Sequence, residues 1–352
     1  MVDVFKLARK NILELQPYSS ARDEFSGEGQ IFLDANENAY GTPLETTQNF
    51  NRYPDPHQRI LKKKLSDLHG IPVEQIFLGN GSDEVIDLLM RVFCEPGIDQ
   101  LVLMPPTYGM YEVVAQINDV SVKKIPLTAE FQIDFDRLVP ALKTPAKMIF
   151  ICSPNNPTGN AFASKDIERI LQSFTGIVVV DEAYIDFAPQ KSILPLLDKY
   201  KHLIVLRTFS KAWGSAGIRL GMAFGSPEAI ALLNKIKMPY NVSKLTQDVA
   251  LKLIENKAQR DAYIGKILQQ RQRLIKALND LPFVLKVFPS DANFILVKLK
   301  NAKALYRFLI QKGIVVRDRS SIPNCDGCLR ITVGTENEND RLLNALKEWE
   351  YE

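Results

Sequence analysis

KMIFICSPNNPTGNAFASKDIERILQSFTGIVVVDEAYIDF, residues 147–187, reads as strand, turn, helix and strand in one pass. KMIFIC and GIVVV are continuous apolar runs with no polar alternation. A strand that reads this way is buried on both faces. Between them, SKDIERILQSF sets Ile167, Ile170, Leu171 and Phe174 on one stripe at helical spacing. A helix joining two such strands is the crossover that parallel pairing requires.

The same grammar extends in both directions. From Gln75 to about Gly225 the runs QIFLGNG, QLVLMPP, VKKIPL, HLIVLRTFS and LGMAFG recur. SDEVIDLLMRVF, opening on Ser82 and two acids, suits a helix N-terminus. Upstream, DPHQRILKKKLSDLHGIP predicts a helix with Leu61, Leu65 and Leu68 on one face, stopped by Gly70 and Pro72. The expectation is an α/β fold with a mostly parallel central sheet and helices on both faces. After Pro239 the strict alternation stops. A helical stretch of roughly 244–281 is followed by NFILVKL, GIVVRD and CLRITVG, then by the helix ENDRLLNALKEWE. That pattern predicts a smaller C-terminal α+β domain. The expected divisions are an N-terminal arm over 1–30 with a turn at SGEG (26–29), a large α/β domain over 31–243, and the small domain over 244–352.

Bulk composition narrows the function. The 352 residues are 46% apolar and 24% charged, with a formal net charge of +3. That charge is too weak for nucleic-acid binding or a membrane surface to be expected. Cys94, Cys152, Cys325 and Cys328 have no disulfide-framework spacing, which favours a reducing compartment. Cys325 and Cys328 form one CxxC, which cannot complete a four-ligand zinc site, and His57, His69 and His202 have no ligand spacing. No metal is expected. The opening MVDVFKLARKNILELQPY lacks the apolar core and cleavage site of a secretory signal, so a cytoplasmic location is expected.

In a parallel sheet, ligands sit at the carboxyl ends of the strands. Four ends carry unusual content: GNGSDE (79–84), SPNNPTG (153–159), DEAY (181–184) and RTFSKAW (207–213). Taken singly, each has an ordinary explanation as a turn, a cap or a solvated lysine. Their order and joint placement do not. Asn156-Pro157-Thr158-Gly159, then Asp181-x-x-Tyr184, then Ser210-Lys211, then Arg219 resembles the signature of the fold-type I pyridoxal-phosphate aminotransferases. The dinucleotide fingerprint GxGxxG is absent, which argues against a nicotinamide oxidoreductase.

The resemblance implies pyridoxal 5′-phosphate as cofactor and a role for each matching residue. Lys211 would hold the cofactor covalently and, once displaced, shuttle the substrate proton. Asp181 would face the ring nitrogen, and Tyr184 and Asn156 the ring hydroxyl oxygen. Gly81, Ser82 and Asp83 at a helix N-terminus would hold the phosphate with Thr208, Ser210 and Arg219, Asp83 through its backbone N–H. Tyr108 would stack on the ring. Tyr53, in NRYPDP, would reach the phosphate in a neighbouring subunit, making the functional unit a homodimer.

A denser set is similar to the histidinol-phosphate aminotransferase branch: LDANENAYG (33–41), RYPDP (52–56), FCEPG (93–97), PPTYGMY (105–111), CSPNNPTG (152–159), DEAYIDF (181–187) and GCLRITVG (327–334). It implies reversible amino transfer between L-histidinol phosphate and 2-oxoglutarate, giving imidazole-acetol phosphate and L-glutamate, in histidine biosynthesis. One basic site would then accept a carboxylate or a phosphate ester, and Arg330 and Arg317 are the candidates. Tyr18, Asn36 and Tyr108 are candidates for the imidazole end. An aromatic amino acid aminotransferase, or an enzyme of dual specificity, remains the alternative; a fold-type I decarboxylase or lyase is a further one.

Overall fold

The computed structural model describes residues 2–18, 31–46, 49–144 and 146–349. The turn expected at 26–29 lies outside the described residues. Seven strands make the large sheet: β1 (Ile76–Asn80), β2 (Gln100–Leu103), β3 (Ser121–Lys124), β4 (Ala146–Cys152), β5 (Ile177–Asp181), β6 (Leu203–Thr208) and β7 (Leu220–Phe224). Their order across the sheet is β1-β7-β6-β5-β4-β2-β3. All neighbours are parallel except β7, which runs against both β1 and β6. Hence β1 points the same way as β6, and the four sequence-selected strand ends emerge on one edge.

A second sheet, antiparallel throughout, has the order β10-β11-β9-β8, formed by β8 (Val284–Val287), β9 (Phe294–Leu299), β10 (Arg317–Asp318) and β11 (Cys328–Thr332). The helices are α1 (Val4–Leu7), α2 (Lys10–Glu14), α3 (Arg59–His69), α4 (Ser82–Phe93), α5 (Met110–Ile117), α6 (Phe135–Leu142), α7 (Ser164–Ser173), α8 (Pro227–Ile236), α9 (Lys244–Glu255), α10 (Lys257–Asn279), α11 (Ala302–Gln311) and α12 (Glu336–Glu348). None among the described residues is long and apolar enough to cross a membrane.

The unbroken apolar strands have a direct explanation in the packing. Ile149 and Ile151 of β4, Val178 and Val180 of β5, and Leu203 and Val205 of β6 face one core with α3 and α7. Their alternates, including Met148, Phe150, Cys152, Ile177, Val179, Ile204 and Leu206, face another core with α4, α5 and α8. Both faces are covered, so the period of two that a half-exposed strand shows is lost. At about 25 cal/mol per Å² of apolar surface, one buried Val or Ile contributes roughly 1.5–3 kcal/mol.

Some local readings differ from what the sequence suggested. Residues 4–14, within the expected arm, pack on the large sheet's helices: Val4 and Ile12 enter the α4/α8 core, and the Arg9 N–H donates to the Val92 carbonyl at 2.9 Å. The stretch 244–281 is two helices, broken at Asn256, whose φ of −96° and ψ of 29° leave the helical range. GIVVRD pairs over only two residues, Arg317 and Asp318.

Contacts around the approach to β9 tie the second sheet to the first. Arg271 on α10 is buried, and its Nη1 donates to the carbonyls of Ala292 (2.8 Å) and Phe187 (3.2 Å). Gly159, at φ +88°, lies so close to Ser290 that an added Cβ would come within 2.8 Å of its Oγ. Asp291 closes the joint: its N–H donates to the Gly159 carbonyl at 2.8 Å and its Oδ2 accepts from the Ala161 N–H at 2.9 Å.

Candidate active site

A cavity of about 880 Å³ opens at the shared strand edge, between the large sheet and the β10–β11 end of the small one. Its lining includes Ser82, Asp83, Tyr108, Asn156, Asp181, Tyr184, Thr208, Ser210, Lys211, Arg219, Arg317 and Arg330, which the sequence had put forward from separate motifs.

Asp181 ends β5 and is 4% exposed. Strand alternation turns it to the α5 side, beside its register partner Cys152. There its Oδ2 accepts a 2.7 Å hydrogen bond from the Tyr111 hydroxyl, and its Oδ1 accepts one of 3.0 Å from the Ala183 N–H. Burial pushes its pKa above the ordinary carboxylate value, and the two donors oppose that shift. Tyr111 is fully buried and stacks on Phe150 with ring centroids 4.5 Å apart. Neither Tyr111 nor Cys152 was singled out from the sequence. The available signal was PPTYGMY itself: Tyr111 begins the buried stripe Tyr111, Val114 and Ala115 of α5.

Lys211 follows β6. Burial lowers its pKa, as does the charge of Arg330, while Asp181 works in the other direction. Its Nζ lies 5.4 Å from the centre of the Tyr184 ring. Tyr184 is buried and meets Phe294 of β9 edge-on at 5.1 Å. Asn156 is also buried, and its Oδ1 accepts a hydrogen bond from Arg330 Nη1. The second sheet thus delivers a guanidinium onto a residue of the β4 turn.

At the α4 end, backbone packing makes a cradle. Gly81 takes φ +81°, and a Cβ there would fall 2.7 Å from Arg219 Nη2. Beneath it, a Cβ on Gly221 of β7 would fall 2.2 Å from the Ser82 nitrogen, so β7 runs directly under the turn. The first N–H groups of α4 point to this space with no side-chain cap on Gly81. Arg219, at φ +52°, donates from Nη2 to Asp83 Oδ2 at 3.4 Å, and the Tyr108 hydroxyl donates to Asp83 Oδ1 at 3.2 Å. Thr208 Oγ1 donates to the Leu220 carbonyl at 3.3 Å and accepts the Ser210 N–H at 3.0 Å, which shapes the turn before the lysine.

Three residues put forward from the sequence lie away from this cavity. Tyr18 is 76% exposed, Asn36 is exposed, and Tyr53, 52% exposed, stacks on Tyr240 at 4.4 Å. The Tyr53 backbone is fixed, because its N–H donates to Glu37 Oε1 at 2.6 Å and Arg52 Nη1 donates to Glu37 Oε2 at 2.7 Å. A residue that the sequence reading passed over, Arg319, does line the cavity.

The site's chemistry is therefore polarised. One wall holds a buried carboxylate and a half-buried amine, and the opposite edge holds guanidinium groups. Comparison with known proteins agrees with this arrangement. Residues 28–346 match the family described as aminotransferase class I and II. The chain is 54% identical over 341 residues to a histidinol-phosphate aminotransferase of Cytophaga hutchinsonii, covering 97% of each. It is 53% identical over 347 residues to the enzyme of that name from Parabacteroides distasonis, covering 99% of each. Among solved structures, the histidinol-phosphate aminotransferase of Clostridium acetobutylicum superposes with a TM-score of 0.78 at 27% identity, over 85% of this chain and 91% of that one.

Proposed function

Because this chain belongs to the aminotransferase class I and II family, we propose that it moves an amino group reversibly between L-histidinol phosphate and 2-oxoglutarate, giving imidazole-acetol phosphate and L-glutamate in histidine biosynthesis. The observation that carries the reading is one cavity holding Lys211, Asp181 and Arg330 together.

The cofactor is pyridoxal 5′-phosphate, and the residues present fit it. A phosphate group matches the uncapped N–H groups of α4, the close-packed Gly81 and the adjacent Arg219. A cationic ring nitrogen matches Asp181, a buried carboxylate held by hydrogen bonds and in need of a positive partner. When bound, this cofactor supplies an electron sink for the pair released at the substrate Cα and carries the amino group between half-reactions.

The chain's own groups do the remainder. Lys211, with its pKa lowered by burial, holds a larger share of neutral amine at working pH than an exposed lysine would. It is the group that takes the proton from the Cα of the amino donor and, in the other half-reaction, delivers a proton to the Cα of the new amino acid. Tyr111 and the Ala183 N–H keep the Asp181 carboxylate in one orientation. Asn156 and Tyr184 are the candidates for the ring hydroxyl oxygen, and Tyr108 for the ring face. Arg330, oriented by Asn156 and packed 5.2 Å over the Phe294 ring, takes the anionic end of either substrate with Arg317 beside it.

The working unit in this reading is a homodimer acting in the cytoplasm. Ile31, Leu33, Tyr40 and Met238 are large apolar side chains more than 70% exposed. They lie on the same two segments as the stacked Tyr53 and Tyr240. Large apolar side chains exposed on two segments joined by such a stack suit an interface. Tyr53, Tyr18 and Asn36 would then serve the partner's cavity, and the large and small units would divide near residue 243.

Steady-state kinetics tests the reading. Purified protein supplied with the cofactor and 2-oxoglutarate should form glutamate from histidinol phosphate with a kcat/KM well above that for phenylalanine or tyrosine. The reverse preference would replace this reading with an aromatic amino acid aminotransferase.

A further inference from the structure

Arg317 of β10 stands directly opposite Arg330 of β11 in the antiparallel register. Residues so paired share a face, and like charges there destabilise the pair. Two residues on, Arg319 adds a third guanidinium to the same cavity. Its own N–H donates to the Cys328 carbonyl at 2.9 Å, which fixes the backbone beside β11. Its Nε is buried without a hydrogen-bond partner. Burial, then the charges of Arg330 and Arg317, lower its pKa to about 10. The other cations of the lining have acids close by: Lys124 pairs with Glu112 at 2.6 Å and Arg219 with Asp83 at 3.4 Å. Among the described residues, none of the three arginines at this edge pairs with a carboxylate.

Three guanidinium groups without a carboxylate partner, one with a buried and unsatisfied N–H, are an unfavourable arrangement unless an anion completes it. A single carboxylate carries one negative charge and is met by the Arg330 and Arg317 pair. A phosphate monoester carries about −1.5 to −2 and has three strong acceptor oxygens. That charge and acceptor count call for one more donor fork. We propose that Arg319 is the residue that distinguishes the phosphate-bearing substrate from the carboxylate-bearing one, donating to the phosphate and contributing little to glutamate. The inference rests on the functional reading above and refines it.

The test separates the two half-reactions under single-turnover conditions, with histidinol phosphate or with L-glutamate as donor. In Arg319→Gln, kcat/KM for histidinol phosphate should fall roughly 10- to 100-fold, the range for losing one hydrogen-bonded charge. The value for glutamate should change less than about threefold. Arg319→Lys should recover part of the loss, since lysine keeps the charge but not the planar fork. An equal fall with both donors, or no change with histidinol phosphate, overturns the proposal. If Arg319→Gln does not fold, inhibition by methyl phosphate against inhibition by acetate, compared in wild type and Arg319→Lys, decides instead. Selective weakening of methyl phosphate supports the proposal, and parallel weakening or none overturns it. Wild-type enzyme that fails to turn over histidinol phosphate at all sinks the functional reading, and this inference falls with it.

Discussion

Asp181→Asn should improve the empty protein and cripple the loaded one. The carboxylate is 4% exposed and held by the Tyr111 hydroxyl at 2.7 Å and the Ala183 N–H at 3.0 Å. Two hydrogen bonds to a charge contribute roughly 1.5–3 kcal/mol each, against a desolvation cost of several kcal/mol. An asparagine can keep both contacts, accepting from Ala183 and donating to the Tyr111 oxygen, without a buried charge. The apo variant should therefore match wild type or exceed it by up to about 2 kcal/mol. The sign with pH follows from the raised pKa of Asp181. A carboxylate whose folded pKa lies above its unfolded one loses stability as pH rises through the folded value. The variant has no such loss, so its advantage should widen from the ordinary carboxylate range upward. With cofactor bound the balance reverses, because the variant breaks a buried ion pair, at about 3–5 kcal/mol. That corresponds to a roughly 150- to 5,000-fold fall in kcat. Calorimetry of apo and loaded forms from about pH 4, the ordinary carboxylate range, to about pH 8, with turnover on the same samples, measures both halves. An apo variant less stable than wild type by more than about 1 kcal/mol, or a loaded variant within about tenfold of normal kcat, would refute the assignment of Asp181 as a charge awaiting a cation.

Lys211→Ala should lose the absorption band of covalently held cofactor and drop turnover by more than about a thousandfold, read by spectroscopy and glutamate formation. Arg330→Gln should weaken both half-reactions by roughly 10- to 150-fold, because either anion meets the same guanidinium. It should also move the pH profile of cofactor capture by the apoenzyme to higher pH. Arg330 helps to lower the Lys211 pKa, and capture needs the neutral amine; an unmoved profile would count against that coupling. Gly221→Ala should cost about 1–3 kcal/mol or more in urea unfolding and weaken cofactor affinity, since its Cβ would press on the Ser82 nitrogen at 2.2 Å, a backbone atom that cannot swing aside.

The sequence made the large sheet legible because its strands are covered on both sides. KMIFIC, GIVVV and HLIVL are apolar at every position that faces either core, and they emerge as β4, β5 and β6. The cavity was legible for a related reason. Chemistry at the carboxyl ends of parallel strands must appear in the few residues after each apolar run, and there Asn156, Asp181 and Lys211 stand. What stayed hidden depends on directions that periodicity does not encode. Tyr111 reads as a core residue of α5, and only its contact with Asp181 distinguishes it from Val114. Arg319 leaves a two-residue strand, and its aim is set by a turn packed through the Cys328 carbonyl. The break at Asn256 has no glycine or proline to announce it. Strand β8 is only partly buried, so VLKV carries no core signal.

The two sheets divide the chemistry between them, and the division explains why the joint between them is so specific. The large sheet supplies the buried acid, the amine and the phosphate cradle; the small sheet supplies the guanidinium edge. A guanidinium displaced by 1 Å loses most of a hydrogen bond, so neither sheet can act unless the other is held in register. The register is set beside the reacting groups. The β4 turn that carries Asn156 is joined at Gly159 to Ser290 and Asp291, a few residues before β9. Asn156 itself accepts from Arg330 on β11, the strand that pairs with β9. Buried Arg271 bonds the Phe187 and Ala292 carbonyls, tying the segment after DEAY to the same approach to β9. Gly159, Arg271 and the β9–β11 pairing therefore form a closed loop of contacts around the cavity. The turn of 319–328 is held to the same loop, because the Arg319 N–H donates to the Cys328 carbonyl at 2.9 Å and Cys325 and Cys328 are buried, so the guanidinium edge is carried in one piece with β11.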